Sequence, residues 1–368
     1  MTPIRSAFAA LAILFLAAPA LASAQEARVP AEAYAKVNAA LVEHHVMPRY
    51  QHLVAATVDL SEASEGLCSD RDTTDLDAVR TRYHETMDAW MGVQHLRFGP
   101  VELFMRSFRL YFWPESQDKV AEAVRKLLAE DEAGRFAPDR FRNTSVAVQG
   151  LPALEYLLYG GEPIAPGSKR CGLLTAIAAN MRDMAAGIVA DWQGSKTNFA
   201  AMVYAPGPDN RYFATHKDAT LAFFKSLHGG LQTLADIRLK PVLGDSIGTA
   251  RPQLVESRLS ERALRNVRGN LAALEALYLG EGGAGLGTLG RDYGNDAELD
   301  PLMRRAFRLT RETARAIEGP LAEAVSDPER RPEVEKLLTQ VLALKQIVRT
   351  RLAAALELQV GFNALDGD

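Results

Sequence analysis

Cysteine is almost missing from this chain: its 368 residues include only Cys68 and Cys171. Two cysteines cannot build a framework of bridges, but they can form one. Charge of a single sign is also missing. The formal net charge is −4, with 42 basic against 46 acidic residues, so nothing electrostatic recommends a nucleic-acid partner. Beyond the N-terminus no run reaches the ~20 apolar residues that a membrane span needs. Alternating runs of β-branched residues are few, which argues against an appreciable sheet. There is no nucleophile elbow and no phosphate loop. The histidines His44, His45 and His52 lack the paired spacing that zinc peptidases place on a helix.

What is present begins with an export signal. Arg5 precedes an apolar run from Ala7 to Leu21, and Ala22-Ser23-Ala24 gives the small-x-small cleavage pattern. Residues 1–24 read as a signal peptide, which places the mature chain in a bacterial periplasm with no transmembrane segment. An oxidising compartment favours a disulfide between Cys68 and Cys171, tying the end of an early helix to the start of a later one. Two separate buried thiols are the alternative.

The remaining pattern is helical almost throughout. Amphipathic stretches are predicted at 31–66 (bent at Pro48), 75–98, 101–112, 118–131, 144–159 and 170–193. In the second half they fall at 214–239, 257–279, 296–318 and 328–358. Long helices with short connections predict an all-α fold of bundles. Gly150-Leu151-Pro152-Ala153-Leu154-Glu155-Tyr156-Leu157-Leu158-Tyr159-Gly160 aligns without gaps on Asn270–Gly280, with six of eleven positions identical at an offset of 120. Two bundle-like halves related by duplication, residues 25–200 and 201–368, are the expectation.

Each copy carries one glutamate beside an apolar stripe, Glu155 and Glu275. A carboxylate withdrawn from water must be paired, hydrogen-bonded or bound to a cation. Glu155 follows Gly150 and Pro152 at a helix start, near the positive end of the dipole. Its structural reading is an ion pair with Arg97 or Arg106; for Glu275 the structural reading is preferred. Gln94-His95-Leu96-Arg97-Phe98-Gly99-Pro100 ends a helix, and Arg97 offers a fork to a carboxylate or an anionic ligand. His84, Asp88 and His95 share a helical face that could hold a metal, although a solvated polar face explains them more simply. Six aromatics from Phe98 to Trp113 read as core. Gly285-Leu286-Gly287-Thr288-Leu289-Gly290 matches a dinucleotide fingerprint formally, but it follows a helix and reads as a flexible loop. The terminal Asp366 and Asp368 supply oxygens that a hard cation would accept.

Together these pieces resemble the imelysin-like family of bacterial cell-envelope proteins. The resemblance rests on the signal peptide, Trp90 through Arg97-Phe98-Gly99-Pro100, the segment from Gly150 to Glu155, and the closing Gly361-Phe362-Asn363-x-x-Asp366-Gly367-Asp368. It implies two helical halves with a site where they meet, a link to iron uptake, and in some members metallopeptidase activity. Those members read Gly-x-His-x-x-Glu where this chain has Pro152 in place of histidine. The resemblance therefore implies a binding protein without hydrolysis, taking iron or an iron-containing ligand, directly or through an envelope partner. Its expected ligand-binding residues are Glu155, Arg97, Gln94, Gly150 and Glu275, with Glu155, Asp366 and Asp368 toward a metal. A metallopeptidase and an envelope scaffold are the rival readings.

Overall fold

The computed structural model describes residues 28–69, 75–115, 118–130, 134–195 and 197–359. The expected signal peptide, Asp366 and Asp368 lie outside these residues. Among the described residues every regular element is helical and no strand occurs.

One long rod runs through the molecule. Helix α1 (Ala31–Leu41) passes through a π-helical turn, Val42–Val46, into α2 (Met47–Cys68). The disturbance expected at Pro48 is taken up by this turn. Proline removes a donor and crowds the carbonyl four residues back, and a widened turn accommodates both effects. The same device recurs at Thr233–Leu239, a π-helical segment directly ahead of Lys240-Pro241.

The other main helices are α3 (Leu76–Val93), α4 (Lys119–Ala129), α5 (Leu151–Tyr159), α6 (Lys169–Gln193), α7 (His216–Gln232), α8 (Ala263–Leu279), α9 (Leu299–Ala316) and α10 (Arg331–Ile347). Helix α2 packs along α3 and α6, while α1 packs against α7 and against the short helix Leu286–Tyr293. Tyr34 donates to the Leu356 carbonyl at 2.8 Å, and Asn38 donates to the His216 carbonyl at 2.8 Å. The first helix in sequence therefore packs with the later helices. Helix α3 lies against α8, α8 against α9, and α9 against α10. Helix α6 is long and apolar enough to cross a membrane by length and composition. Its Leu173, Leu174, Ile177 and Met181 are instead fully buried in the core.

Several expectations need correction. The helix predicted at 101–112 is two 3-10 turns and a short helix, Arg106–Leu110. Phe104 and Met105, with φ of 55° and 56°, break it. Both occupy the left-handed region, which costs a non-glycine residue roughly 1–2 kcal/mol. Phe104 is 75% exposed and Phe108 44%, so these two aromatics are not core. The glycine-rich segment read as a loop is the helix Leu286–Tyr293, with Gly285 at its N-cap. The segments aligned as copies both end at a glycine, yet the first is all of the short α5 and the second only the end of the longer α8.

Cys68 and Cys171 form a disulfide across 103 residues of sequence, joining the end of α2 to the start of α6. Closing a loop of that length removes on the order of 4–5 kcal/mol of chain entropy from the unfolded state. Titration of the denatured, unreduced protein should find no free thiol. Replacing both cysteines by serine should lower unfolding stability by a few kcal/mol in denaturant titrations. Two free thiols, or an unchanged midpoint, would contradict the bridge.

Candidate functional site

The π-helical turn at Thr233–Leu239 delivers Arg238 inward, where it is 4% exposed. Its guanidinium makes a two-point pair with Glu256, Nε to Oε2 at 2.9 Å and Nη2 to Oε1 at 2.7 Å. Nη1 donates to Asn270 Oδ1 at 2.6 Å, and Nη2 also donates to Gln94 Oε1 at 3.0 Å. Glu256 is completed by Tyr111, whose hydroxyl donates to Oε1 at 2.6 Å, and by Asn266, which donates to Oε2 at 3.1 Å. Burial alone pulls Arg238 toward losing its proton, but the Glu256 carboxylate and Tyr111 outweigh this and raise its pKa. Burial, reinforced by Glu256, pushes the Tyr111 hydroxyl well above its usual value. Both charges are withdrawn from water, and each hydrogen-bonding edge is answered. Gln94 and Tyr111 come from the first half of the sequence, and Arg238, Glu256, Asn266 and Asn270 from the second.

Above this network lies a cavity of about 590 Å³, between the end of α3 and helix α7. Arg238 forms part of its floor beneath Trp113, 5.0 Å from the ring centroid. Phe98 and Phe108 add aromatic wall, and Arg97 and Lys225 add cations. Arg97 pairs with Glu102 at 3.2 Å and covers the Phe108 ring at 5.5 Å. On α7, Gly229 leaves the cavity open, since a Cβ there would meet nothing within 4 Å.

The structure thus brings Gln94, His95 and Arg97 to one cavity, and places Glu155, Gly150, Glu275, His84 and Asp88 elsewhere. Glu155 is 9% exposed and does not line it. One of its oxygens accepts the Ser260 backbone N–H at 2.8 Å and the Ser260 hydroxyl at 2.7 Å. Its partner is a hydroxyl and an amide from the second half, not Arg97 or Arg106; Arg106 pairs with Asp191 at 2.6 Å. Gly150 caps α5 against the backbone of Arg109 and Leu110, where a Cβ would stand 2.3 Å from the Leu110 carbonyl oxygen. Glu275 pairs with Arg311.

The histidines separate into two groups. His84 bonds Tyr159 and Arg262, each at 2.8 Å, and Arg262 also engages Asp88. His95 meets His45 at 2.8 Å inside the protein. His84 and His95 therefore do not share a metal position. Among the described residues no group of three or more His, Cys, Asp or Glu side chains converges to hold a metal. Pro152 offers no lone pair, so the residues around Glu155 do not fit a bound metal ion.

Arg238, Glu256, Tyr111, Asn270 and Ser260 were not singled out from sequence. Arg238 did leave a signal: Leu227, Leu231, Leu234, Arg238 and Val242 form a helical stripe, all buried, and an arginine interrupts it. Asn270 likewise interrupts the buried face of Val267, Leu271 and Leu274. Glu256 and Ser260 lie outside regular helix, where periodicity carries no information.

Burial is the largest influence on Glu155 and raises its pKa; the Ser260 donors oppose it and Glu256 adds to it. A raised carboxyl pKa means the folded state holds the proton more tightly. Stability is then lost as pH climbs from the unfolded value, about 4.3, through the folded one. Glu155→Gln keeps an acceptor for Ser260 and removes the charge. Its melting temperature should equal or exceed that of the unaltered protein at pH 7, with the difference vanishing below about pH 4. A variant less stable at pH 7 yet unchanged at pH 4 would show that the carboxylate is ionised and favourably paired.

The family model for imelysin matches residues 46–348. Solved structures share the fold, among them the following two. An imelysin-like protein from Psychrobacter arcticum is 17% identical, with a TM-score of 0.74 over 91% of this chain and 98% of its own. A protein from Parabacteroides distasonis, described provisionally as an iron-regulated protein A precursor, is 16% identical, with a TM-score of 0.72 over 89% and 97%. No curated protein matches. The match extends over most of the length, from the π-helical turn after α1 to the end of α10, and the chain belongs to the imelysin family.

Proposed function

We propose that this protein is an exported, non-hydrolytic binding protein of iron acquisition, and that the cavity above Arg238 takes iron as an anionic organic chelate. The observation that carries this reading is the cavity itself. Its volume of about 590 Å³ lies within the usual range for small-molecule sites. Its walls are aromatic, and Arg97 and Lys225 supply positive charge. Its nearby carboxylates are engaged: Glu102 by Arg97, Glu256 by Arg238, Tyr111 and Asn266. A bare ferric ion would need several free oxygens, whereas a carboxylate-bearing chelate needs cations and flat apolar walls.

Iron enters through the name of the Parabacteroides distasonis structure, which also describes a precursor and so supports export to the periplasm. Descent of the two halves from one duplicated bundle belongs to the same reading, as does delivery of the ligand directly or through an envelope partner. Non-hydrolysis rests on Pro152 and on Glu155, whose carboxylate is bonded by the Ser260 amide and hydroxyl.

Gly229→Leu should project an apolar side chain into the cavity and obstruct it, since nothing lies within 4 Å of the added Cβ. In calorimetric titrations with ferric citrate, haem and divalent metal salts, the mature protein should bind an anionic chelate or haem but not the simple divalent ions. Gly229→Leu should abolish that binding while keeping the melting temperature. Failure of every ligand, or equal binding by this variant, would overturn the assignment. Chelator-sensitive cleavage of an unfolded protein substrate would overturn the absence of hydrolysis.

A further inference from the structure

We propose that the groove beside the Cys68–Cys171 disulfide is a second binding site, built for a carboxylate carried next to an aromatic ring. The groove is open and encloses about 800 Å³. Its central feature is Arg109. Nε donates to Gln149 Oε1 at 2.7 Å and Nη2 to Asn180 Oδ1 at 3.2 Å. These amides are themselves fixed: Asn180 donates to Gln149 Oε1 at 3.2 Å, and Gln149 donates to the Thr144 carbonyl at 2.6 Å.

Arg109 is thereby held in one orientation by neutral groups. Among the described residues no carboxylate forms an ion pair with it, and Nη1 has no protein partner. Neighbouring arginines are differently placed, since Arg106 pairs with Asp191, Arg142 with Asp139 and Arg182 with Asp183. Burial, then Arg106 and Arg142, lower the pKa of Arg109, which marks a cation in a positive, partly desolvated setting. A half-buried guanidinium with a free edge and no counter-charge is matched by a carboxylate, whose two oxygens suit its planar fork.

The aromatic requirement comes from Phe104 and Phe136, which flank the groove. Phe104 is 75% exposed, sits in a left-handed backbone conformation and covers Arg106 at 5.4 Å. A strained residue that presents an aromatic ring to solvent is an arrangement found at ligand clamps. The groove is separate from the cavity above Arg238. Phe104, Arg106 and Arg109 line the groove, whereas Phe108, Tyr111 and Trp113 of the same segment line the cavity. The ligand chemistry is shared by a free aromatic acid and by a chain end terminating in an aromatic residue.

The full-length mature protein should be titrated with phenylacetate, with a short N-acetylated peptide ending in phenylalanine, and with inorganic phosphate. Binding is read by calorimetry in every variant, and in the unaltered protein also from the Arg109 Nε–H resonance. Phenylacetate should bind saturably, and Arg109→Gln should weaken it about tenfold or more, the loss of one charged hydrogen bond. Thr175→Glu, which adds a carboxylate to the Glu65 and Asp183 already lining the groove and leaves Arg109 unaltered, should abolish binding. Gly229→Leu should leave it unchanged, so that failure here and failure of the iron-chelate assignment are told apart. Tighter binding of the peptide would identify a chain end as the source, and equal binding a free acid. Phosphate binding as well as phenylacetate would overturn the aromatic requirement. No saturable binding, or binding indifferent to both Arg109→Gln and Thr175→Glu, would overturn the site.

Discussion

A fully desolvated ion pair, Arg238 with Glu256, is the constraint around which the centre of this molecule is arranged. Taking two charges out of water costs several kcal/mol each, and only good geometry with additional hydrogen bonds repays it. Here Asn270, Gln94, Tyr111 and Asn266 supply those bonds. Because Gln94 ends α3 and Tyr111 follows the short helix Arg106–Leu110, the pair can be satisfied only if early and late helices sit in one relative position. The cavity floor is therefore fixed by electrostatics as well as by packing.

Two π-helical turns make this arrangement possible. Each precedes a proline, Pro48 and Pro241, and each turns a polar side chain into the interior, His45 in the first and Arg238 in the second. An α-helical turn ahead of proline would meet a steric clash, so the widened turn relieves the local conflict and re-aims the side chains. Such turns occur frequently at functional sites. The segment from Phe104 to Trp113 complements them, since its broken helical geometry lets neighbouring residues face the groove on one side and the cavity on the other.

The all-helical class was legible because apolar spacing at 3.6 residues dominates the chain. The disulfide was legible from two cysteines at helix ends. Arg97 was legible as a fork at the end of an apolar stripe, and it lines the cavity together with Gln94. The aromatics of the 101–112 segment misled, because composition cannot reveal that Phe104 and Met105 adopt positive φ. Gly285–Gly290 misled in the opposite sense: glycines that lower helix propensity are tolerated where the helix packs, as Leu286 and Leu289 do. Glu155 looked like the site because it was a carboxylate on an apolar helix. Its burial is real, but Ser260, arriving from a non-helical segment, answers it. Long-range pairs such as Arg238 with Gln94 leave no periodic trace, although the arginine on an apolar stripe was visible.

The most direct test is a double-mutant cycle on the ion pair, with Arg238→Met, Glu256→Gln and the combined variant compared by denaturant unfolding. Each single change should cost about 3–5 kcal/mol, because it strands a buried charge. The combined variant should cost clearly less than the two added together, since neither charge is then left alone. Additive losses, or single losses under about 1 kcal/mol, would mean that the pair does not hold the early and late helices in register and that the cavity floor is set by something else.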